Sequence, residues 1–247
     1  MGKSKKTGVG KTAGKKNRGR LHGVIKWGSG FVVMLVFISI LQVVFLRYIN
    51  PPFFLITPVK SIAEGFDVLP TGPPIHWRPM ERMSPYVKKA VLAAEDQRFL
   101  THNGFDLIEL NEAIKDMAMG KGYRGASTIT MQMARTVFLW PARTWMRKGL
   151  EAYYTALLEI FLSKERILEV YLNTVDWGEG IRGIEAAARA YFHVSPTHVS
   201  RAQAALLAAI LPSPHRWSPT KPNARVLGRQ KRILNDMNKM AVPKNNP

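Results

Sequence analysis

Apolar residues run along this chain in two unlike patterns. From Trp27 to Leu46, twenty residues pass without a charge and are rich in Val, Phe, Ile and Leu. As a helix rising about 1.5 Å per residue they cover about 30 Å, the hydrocarbon thickness of a bilayer. A signal peptide has a shorter apolar region, roughly 7 to 15 residues, followed by small residues. Here Arg47-Tyr48-Ile49-Asn50-Pro51 follows instead. A buried helix of a soluble domain is seldom apolar on every face. The pattern therefore predicts one transmembrane helix over 27–47.

Downstream the apolar positions become periodic. Pro51-Pro52 and Thr71-Gly72-Pro73-Pro74 mark residues 48–80 as an irregular connector, with one short extended piece around Pro58 to Ile62. Ser84-Pro85 then reads as an N-cap and first helical position, with Val87, Val91 and Ala94 in one stripe and Asn103-Gly104 as the stop. Asp106-Leu107-Ile108-Glu109 has the form of a capping box, after which Leu107, Leu110, Ile114 and Met117 mark one face until Gly120. Another helix starts near Ser127 or Thr128. The clearest stripe is Leu150, Tyr153, Tyr154, Leu157, Leu158 and Phe161, the spacing of a helix packed on a core. Shorter helices follow from Glu165 to Leu172, Glu185 to Phe192 and Ser200 to Leu211, the last opened by Ser200 with Gln203 and stopped by Pro212. A C-terminal helix and tail take residues 226–247. Strand-like runs are scarce, so the fold class is mainly α.

Charge adds a direction to the membrane helix. Of a net charge of +19, a large share sits in the first 26 residues, which hold nine Lys/Arg and no acid. The positive-inside rule makes residues 1–26 a basic cytoplasmic tail and everything after Arg47 extracytoplasmic. Within the tail, Gly8-Val9-Gly10-Lys11-Thr12 looks like the end of a phosphate-binding loop. Lys5, however, stands where that motif needs a glycine, and no strand precedes it. A disordered topology determinant accounts for the tail without a nucleic-acid partner, because Gly and Lys build no core. Cysteine is absent, which excludes disulfides, thiolate catalysis and zinc–thiolate sites.

Two carboxylates stand out by their neighbours. Arg147, Lys148 and Glu151 fall within about one helical turn, placing two cations and an acid together off the apolar stripe. On spacing alone this is an ordinary solvated ion pair, and Glu95, at the polar end of an amphipathic helix, is an ordinary solvated acid. The surrounding residues change that reading. Glu95, Asp96, Phe99, His102, Gly104 and Asp106 form one ordered set, and Gly125, Ser127, Thr128, Ile129, Thr130 and Gln132 a second. Arg147, Lys148 and Glu151 make a third. Lys164-Glu165-Arg166-Ile167-Leu168-Glu169-Val170-Tyr171-Leu172-Asn173 and Gly183-Ile184-Glu185-Ala186-Ala187-Ala188-Arg189-Ala190-Tyr191-Phe192 complete five motifs between residues 70 and 220.

In that order the motifs resemble glycosyltransferase family 51, the peptidoglycan glycosyltransferases that polymerise lipid II, and in particular its monofunctional transglycosylases. The resemblance implies a lysozyme-like glycosyltransferase domain over 81–225 with a small jaw subdomain against the membrane. It implies growth of a β-1,4 glycan with inversion, release of undecaprenyl diphosphate, and Glu95 as general base on the acceptor's 4-hydroxyl. Lys148, Arg143 and Arg135 would meet the donor phosphates. Glu151 would join the catalytic set by holding a divalent metal, magnesium or manganese, or by orienting those cations. Thr128 and Gln132 would give neutral hydrogen bonds to substrate, and Asp96 would bind substrate or brace the site. Phe99, His102, Asp106 and Ser127 would shape the motif, and no organic cofactor is expected. Implied partners are lipid II, lipid-linked glycan, membrane lipid and other cell wall synthesis and division proteins, at a bacterial inner membrane.

The chain departs from the family where Met131 replaces a frequent glutamine and Arg135-Thr136 a Lys-Asn pair. Arginine keeps the charge but presents a planar fork, and Met131 cannot make a glutamine's hydrogen bonds. Ser218-Pro219-Thr220-Lys221 has the spacing of a penicillin-binding nucleophile, but 26 residues after it are too few for that domain, so no transpeptidase activity is expected. The rival chemistry is glycan hydrolysis on the same fold, which has no use for cations at a leaving diphosphate.

Overall fold

The computed structural model describes residues 13–51, 75–121, 125–140 and 144–243, with side chains from Lys26 onward. The extended piece expected around Pro58 to Ile62, and Arg143, lie outside the described residues. The chain divides into two compact units, Met1–Val43 and Val44–Pro247.

Helix α1 spans Ala13–Tyr48. Its stretch Lys26–Tyr48, with a mean hydropathy of 2.6, is long and apolar enough to cross a membrane, and it fits a single-pass anchor. Trp27, Phe31, Val33 and Phe37 are exposed, as a lipid-facing helix requires. The basic tail is helical from Ala13 onward rather than disordered throughout. Ala, Lys, Arg and Leu are strong helix formers and extend the apolar helix without a break.

Among the described residues, the regular structure of the second unit is helical apart from a short antiparallel pair. Its helices are α2 (Pro85–Glu95), α3 (Leu107–Ala118), α4 (Ile129–Phe138), α5 (Trp145–Phe161) and α6 (Lys164–Thr174). After strands β1 (Asp176–Gly178) and β2 (Ile181–Arg182) come α7 (Gly183–Phe192), α8 (Arg201–Ile210) and α9 (Ala224–Asp236). Strand pairing aligns Asp176 with Arg182 and Gly178 with Ile181. Side-chain oxygens cap most helix starts, namely Ser84, Asp106, Thr128, Thr144, Ser163, Ser200 and Asn223. The expected Ser200–Gln203 capping box is formed in full. Gly183 enters α7 at φ +79°, where a Cβ would sit 2.5 Å from the Asn173 carbonyl oxygen, so no larger residue fits this close approach.

Two packed groups make the core. Helix α8 lies against α2 and α9, while α4 lies against α5 and α6. Leu92, Ile129, Met133, Leu158, Ile167, Leu168, Leu172 and Trp177 are fully enclosed. The N-terminal side of this unit is tied down by Arg78, whose guanidinium pairs with Glu185 while its backbone N–H donates to Asn173.

Three local readings of the sequence change. Helix α2 stops at Glu95, short of Asn103-Gly104, because Asp96 leaves helical geometry (φ −161°) and its carboxylate is engaged by other elements. On α3, Leu107, Ile108, Ile114 and Met117 are 70, 63, 51 and 57% exposed, and Ala113 alone is buried. The helix thus presents its apolar face outward. On α5 the fully buried positions are Glu151, Thr155 and Leu158, so the enclosed face includes an acid and the aromatic stripe is half-buried beside it. Tyr154 stacks on Phe138 with ring centres 4.3 Å apart.

Candidate functional site

The last residue of α2 faces a cavity of about 730 Å³ whose lining includes Glu95, Asp96, Ser127, Gln132, Arg229 and Arg232. Glu95 closes α2 and lines this cavity. Its side chain is 14% exposed, and its carboxylate accepts a hydrogen bond from Gln132 Nε2 at 3.0 Å. Arg229 Nη2 stands 3.8 Å from the other oxygen. Burial raises the proton affinity of Glu95 above that of an ordinary carboxyl group, and neighbouring Asp96 adds to the rise. The Gln132 bond, Arg229 and Arg135 pull it back down. The result is a carboxylate with raised proton affinity that lines a cavity open to substrate.

Below Glu95 lies a structural web. Asp96 accepts from the Ile129 N–H at the start of α4 and from His102 Nε2 at 2.9 Å. His102 Nδ1 accepts from the Gly104 N–H, which fixes the tautomer with the proton on Nε2. Phe99 is enclosed and edge-on to His102, with the Lys164 ammonium 4.6 Å from its ring centre. Asp106 caps α3 and is gripped by Arg98 through two nitrogens. Thr128 is 3% exposed; its hydroxyl donates to the Gly104 carbonyl and accepts from the Met131 N–H. These contacts make Asp96, Phe99, His102, Asp106 and Thr128 supports of the turn. The Thr128 hydroxyl proton is thus committed to Gly104, while the residue itself lines the cavity. Ser127 lines the cavity, and its carbonyl accepts from Gln132 Nε2 at 3.4 Å.

Glu151 is not part of this cavity's lining. It is wholly buried, and its oxygens are held by Arg147 Nη1 at 3.0 Å and Lys148 Nζ at 2.6 Å. Lys148 remains 43% exposed, so one cation of the pair still faces outward. Of the two tasks expected for Glu151, orienting cations matches this geometry; a metal would find both oxygens committed. Among the described residues, Asp96, His102 and Asp106 bring ligand atoms within 4.8 Å of one another and could hold an ion. All three are engaged in the hydrogen bonds above, and a divalent ion there would displace the Arg98 guanidinium. An ion at either place would have to displace these hydrogen bonds and ion pairs. Met131 is 9% exposed and faces the core, consistent with its lack of a polar role. Arg135 lies on α4 and acts on Glu95 through charge.

Two residues here escape sequence reasoning about the site. Tyr171 donates to Gln132 Oε1 at 3.0 Å; it sits inside the fourth motif, but nothing in its spacing points to Gln132. Arg229 comes from α9, in the stretch that the sequence marks as a C-terminal helix and tail. Its Nε donates to the Ala209 carbonyl at 3.0 Å, and α9 packs on α8 and α2. The cavity wall therefore extends past residue 225.

Comparison with known proteins extends the reading to most of the chain. A family model described as transglycosylase matches residues 71–238. A biosynthetic peptidoglycan transglycosylase of Pseudomonas entomophila is 45% identical over 205 residues, covering 83% of this chain and 87% of that protein. One of Bdellovibrio bacteriovorus is 46% identical over 228 residues, covering 92% and 90%. A third, of Bacteroides thetaiotaomicron, is 42% identical over 224 residues, covering 90% and 88%.

Proposed function

The chain belongs to the transglycosylase family, and we propose from that premise that it lengthens peptidoglycan glycan strands with Glu95 as the base. The enzyme is a glycosyltransferase of peptidoglycan synthesis. In the proposed step, Glu95 takes the proton from the acceptor sugar's 4-hydroxyl as that oxygen attacks the donor's anomeric carbon. The bond from that carbon to the diphosphate breaks on the opposite side, so configuration inverts and the lipid diphosphate leaves with the electron pair. The carboxylic acid so formed is favoured by the burial that raises its proton affinity.

The observation that carries this reading is a partly buried carboxylate opening on a cavity, steadied by an amide donor and faced by an arginine. Negative charge on the leaving diphosphate calls for cations, and Arg135, Arg143 and Lys148 are assigned to it, with Glu151 keeping Lys148 directed. Lipid II is the acceptor and a lipid-linked glycan the donor. Asp96 supports the base instead of binding sugar. The outward apolar face of α3 and the basic surface suit contact with membrane lipid, which brings the site to a lipid-linked substrate. The anchor is assigned to the bacterial inner membrane with its N-terminus cytoplasmic and the enzyme unit outside. Other cell wall synthesis and division proteins are the proposed neighbours.

The test supplies lipid II to the full-length protein in detergent and separates the products by size. Long glycan that disappears in Glu95→Gln supports the assignment. Shortening of preformed glycan without growth would instead identify a hydrolase.

A further inference from the structure

The catalytic base is steadied through Gln132 by a buried residue outside the cavity lining. Gln132 has a primary amide whose two ends have opposite hydrogen-bonding character, and either could face Glu95 in an otherwise unconstrained pocket. If Nε2 faces the carboxylate, the contact is attractive; if Oε1 does, two oxygens repel. Here Nε2 donates to Glu95 Oε2 at 3.0 Å and reaches the Ser127 carbonyl at 3.4 Å. The other end, Oε1, receives the Tyr171 hydroxyl at 3.0 Å. Tyr171 is 1% exposed and lies on α6, outside the cavity lining.

We propose that Tyr171 is a positioning residue for the base: its hydroxyl fixes which end of the Gln132 amide faces Glu95, and thereby holds the carboxylate for proton transfer. The inference rests on the assignment of Glu95 as base. A phenol is suited to the task because it remains a donor. Burial and the nearby Glu95 charge raise the Tyr171 proton affinity well above its ordinary value, with Arg135 opposing and Asp96 adding. Ionisation, which would turn the hydroxyl into an acceptor and push Oε1 away, is therefore suppressed. The charged and titratable groups acting on Glu95 are Asp96 beside it, Arg135 on α4, Tyr171 on α6 and Arg229 on α9. Of these, Tyr171 is coupled to Glu95 through an amide that can turn over.

The experiment compares full-length wild type, Tyr171→Phe, Gln132→Met and the double variant on lipid II, recording kcat, KM and the pH dependence of kcat/KM. Thermal unfolding first establishes that each is folded. Tyr171→Phe is expected to lower kcat by roughly tenfold, the scale of one lost hydrogen bond next to a charge, with little change in KM. Its acid limb should move to higher pH, because the donor that holds the Glu95 proton affinity down is no longer fixed. In the Gln132→Met background the same substitution should add almost nothing, since the hydroxyl acts through the amide. An unmoved acid limb with unchanged kcat in folded Tyr171→Phe, or a full additive loss in the double variant, overturns the proposal. If Tyr171→Phe does not fold, p-aminophenylalanine at 171 keeps a donor at the same place. Near-wild-type kcat then supports the proposal, and a folded but tenfold slower protein overturns it. Glu95→Gln run alongside separates the two claims. Activity surviving in Glu95→Gln removes the base assignment itself, whereas a dead Glu95→Gln beside an unperturbed Tyr171→Phe removes only the role of Tyr171.

Discussion

Glu95 and Glu151 are both carboxylates near helix residues of the same unit, yet their surroundings give them opposite properties. Glu95 ends α2, opens on a cavity and has one amide donor, with an arginine at 3.8 Å. Glu151 is nearly two turns into α5, fully enclosed, and directly bound by two cations at 3.0 and 2.6 Å. An acid whose compensation is incomplete retains the ability to take up a proton. One held on both oxygens by cations instead organises those cations. Glu95 therefore fits the acid–base step, and Glu151 fits the arrangement of positive charge. The comparison is breakable, because the two acids should fail differently.

The largest effect is expected at Glu95. Glu95→Gln should lower polymerisation by about 10²–10⁴-fold, the usual contribution of a positioned base. It should also raise the unfolding temperature at neutral pH. The sign follows from the raised proton affinity. Any stability from protonating Glu95 is full below the pKa of the unfolded chain and is lost as pH rises through the higher folded value. At neutral pH wild type bears the cost of a buried anion, and glutamine removes it. A large activity loss accompanied by a lower melting temperature would contradict this account.

Glu151→Gln should lose on both counts. Removing one partner of a buried pair leaves charge uncompensated and costs about 3–5 kcal/mol. Arg147 is the more enclosed cation, at 11% exposure against 43% for Lys148, so most of that cost falls on Arg147. Denaturant unfolding measures the loss, and lipid II turnover should drop as Lys148 loses its direction. Unchanged stability in Glu151→Gln would dissolve the distinction between the two acids.

The contrast between the acids marks how far the sequence could be read. Helix starts were legible because caps are local: Ser84, Asp106, Thr128 and Ser200 each act within three residues of their own position. The motifs located Glu95, Gln132 and Glu151. What periodicity could not show is which apolar stripe faces inward. The α3 stripe faces out and the α5 interior includes Glu151 and Thr155, since a stripe reports a face but not what covers it. Arg229 and Tyr171 lie 134 and 76 residues from Glu95 in sequence, and their contacts exist only after α9 and α6 have packed. Arg143 falls outside the described residues, so its proposed place at the donor phosphates rests on the resemblance alone.

Arg229 sharpens the comparison from the side of Glu95. Replacing it with methionine preserves bulk beside α8 but removes a charge that lowers the Glu95 proton affinity. The acid limb of kcat/KM should move to higher pH, so that activity at neutral pH falls and recovers as the buffer is made more alkaline. Arg229→Lys should restore part of the shift, since it keeps the charge while losing the fork that also reaches the Ala209 carbonyl. A uniform loss at every pH would mean that Arg229 acts only by packing.

The smallest effect on the fold is expected on α3, whose exposed face touches neither acid. Leu107→Ser with Ile108→Ser removes side chains that are 70 and 63% exposed. Surface changes of this kind usually alter stability by no more than about 0.5 kcal/mol. If the face meets lipid, the full-length double variant in vesicles should show a raised KM for lipid II while its kcat and its acid limb stay as in wild type. In detergent, where no bilayer has to be entered, that difference should shrink. A change in the acid limb would instead tie α3 to Glu95 through Asp106, its N-cap, and Arg98, and the separation between the membrane-facing surface and the proton-transfer site would fail.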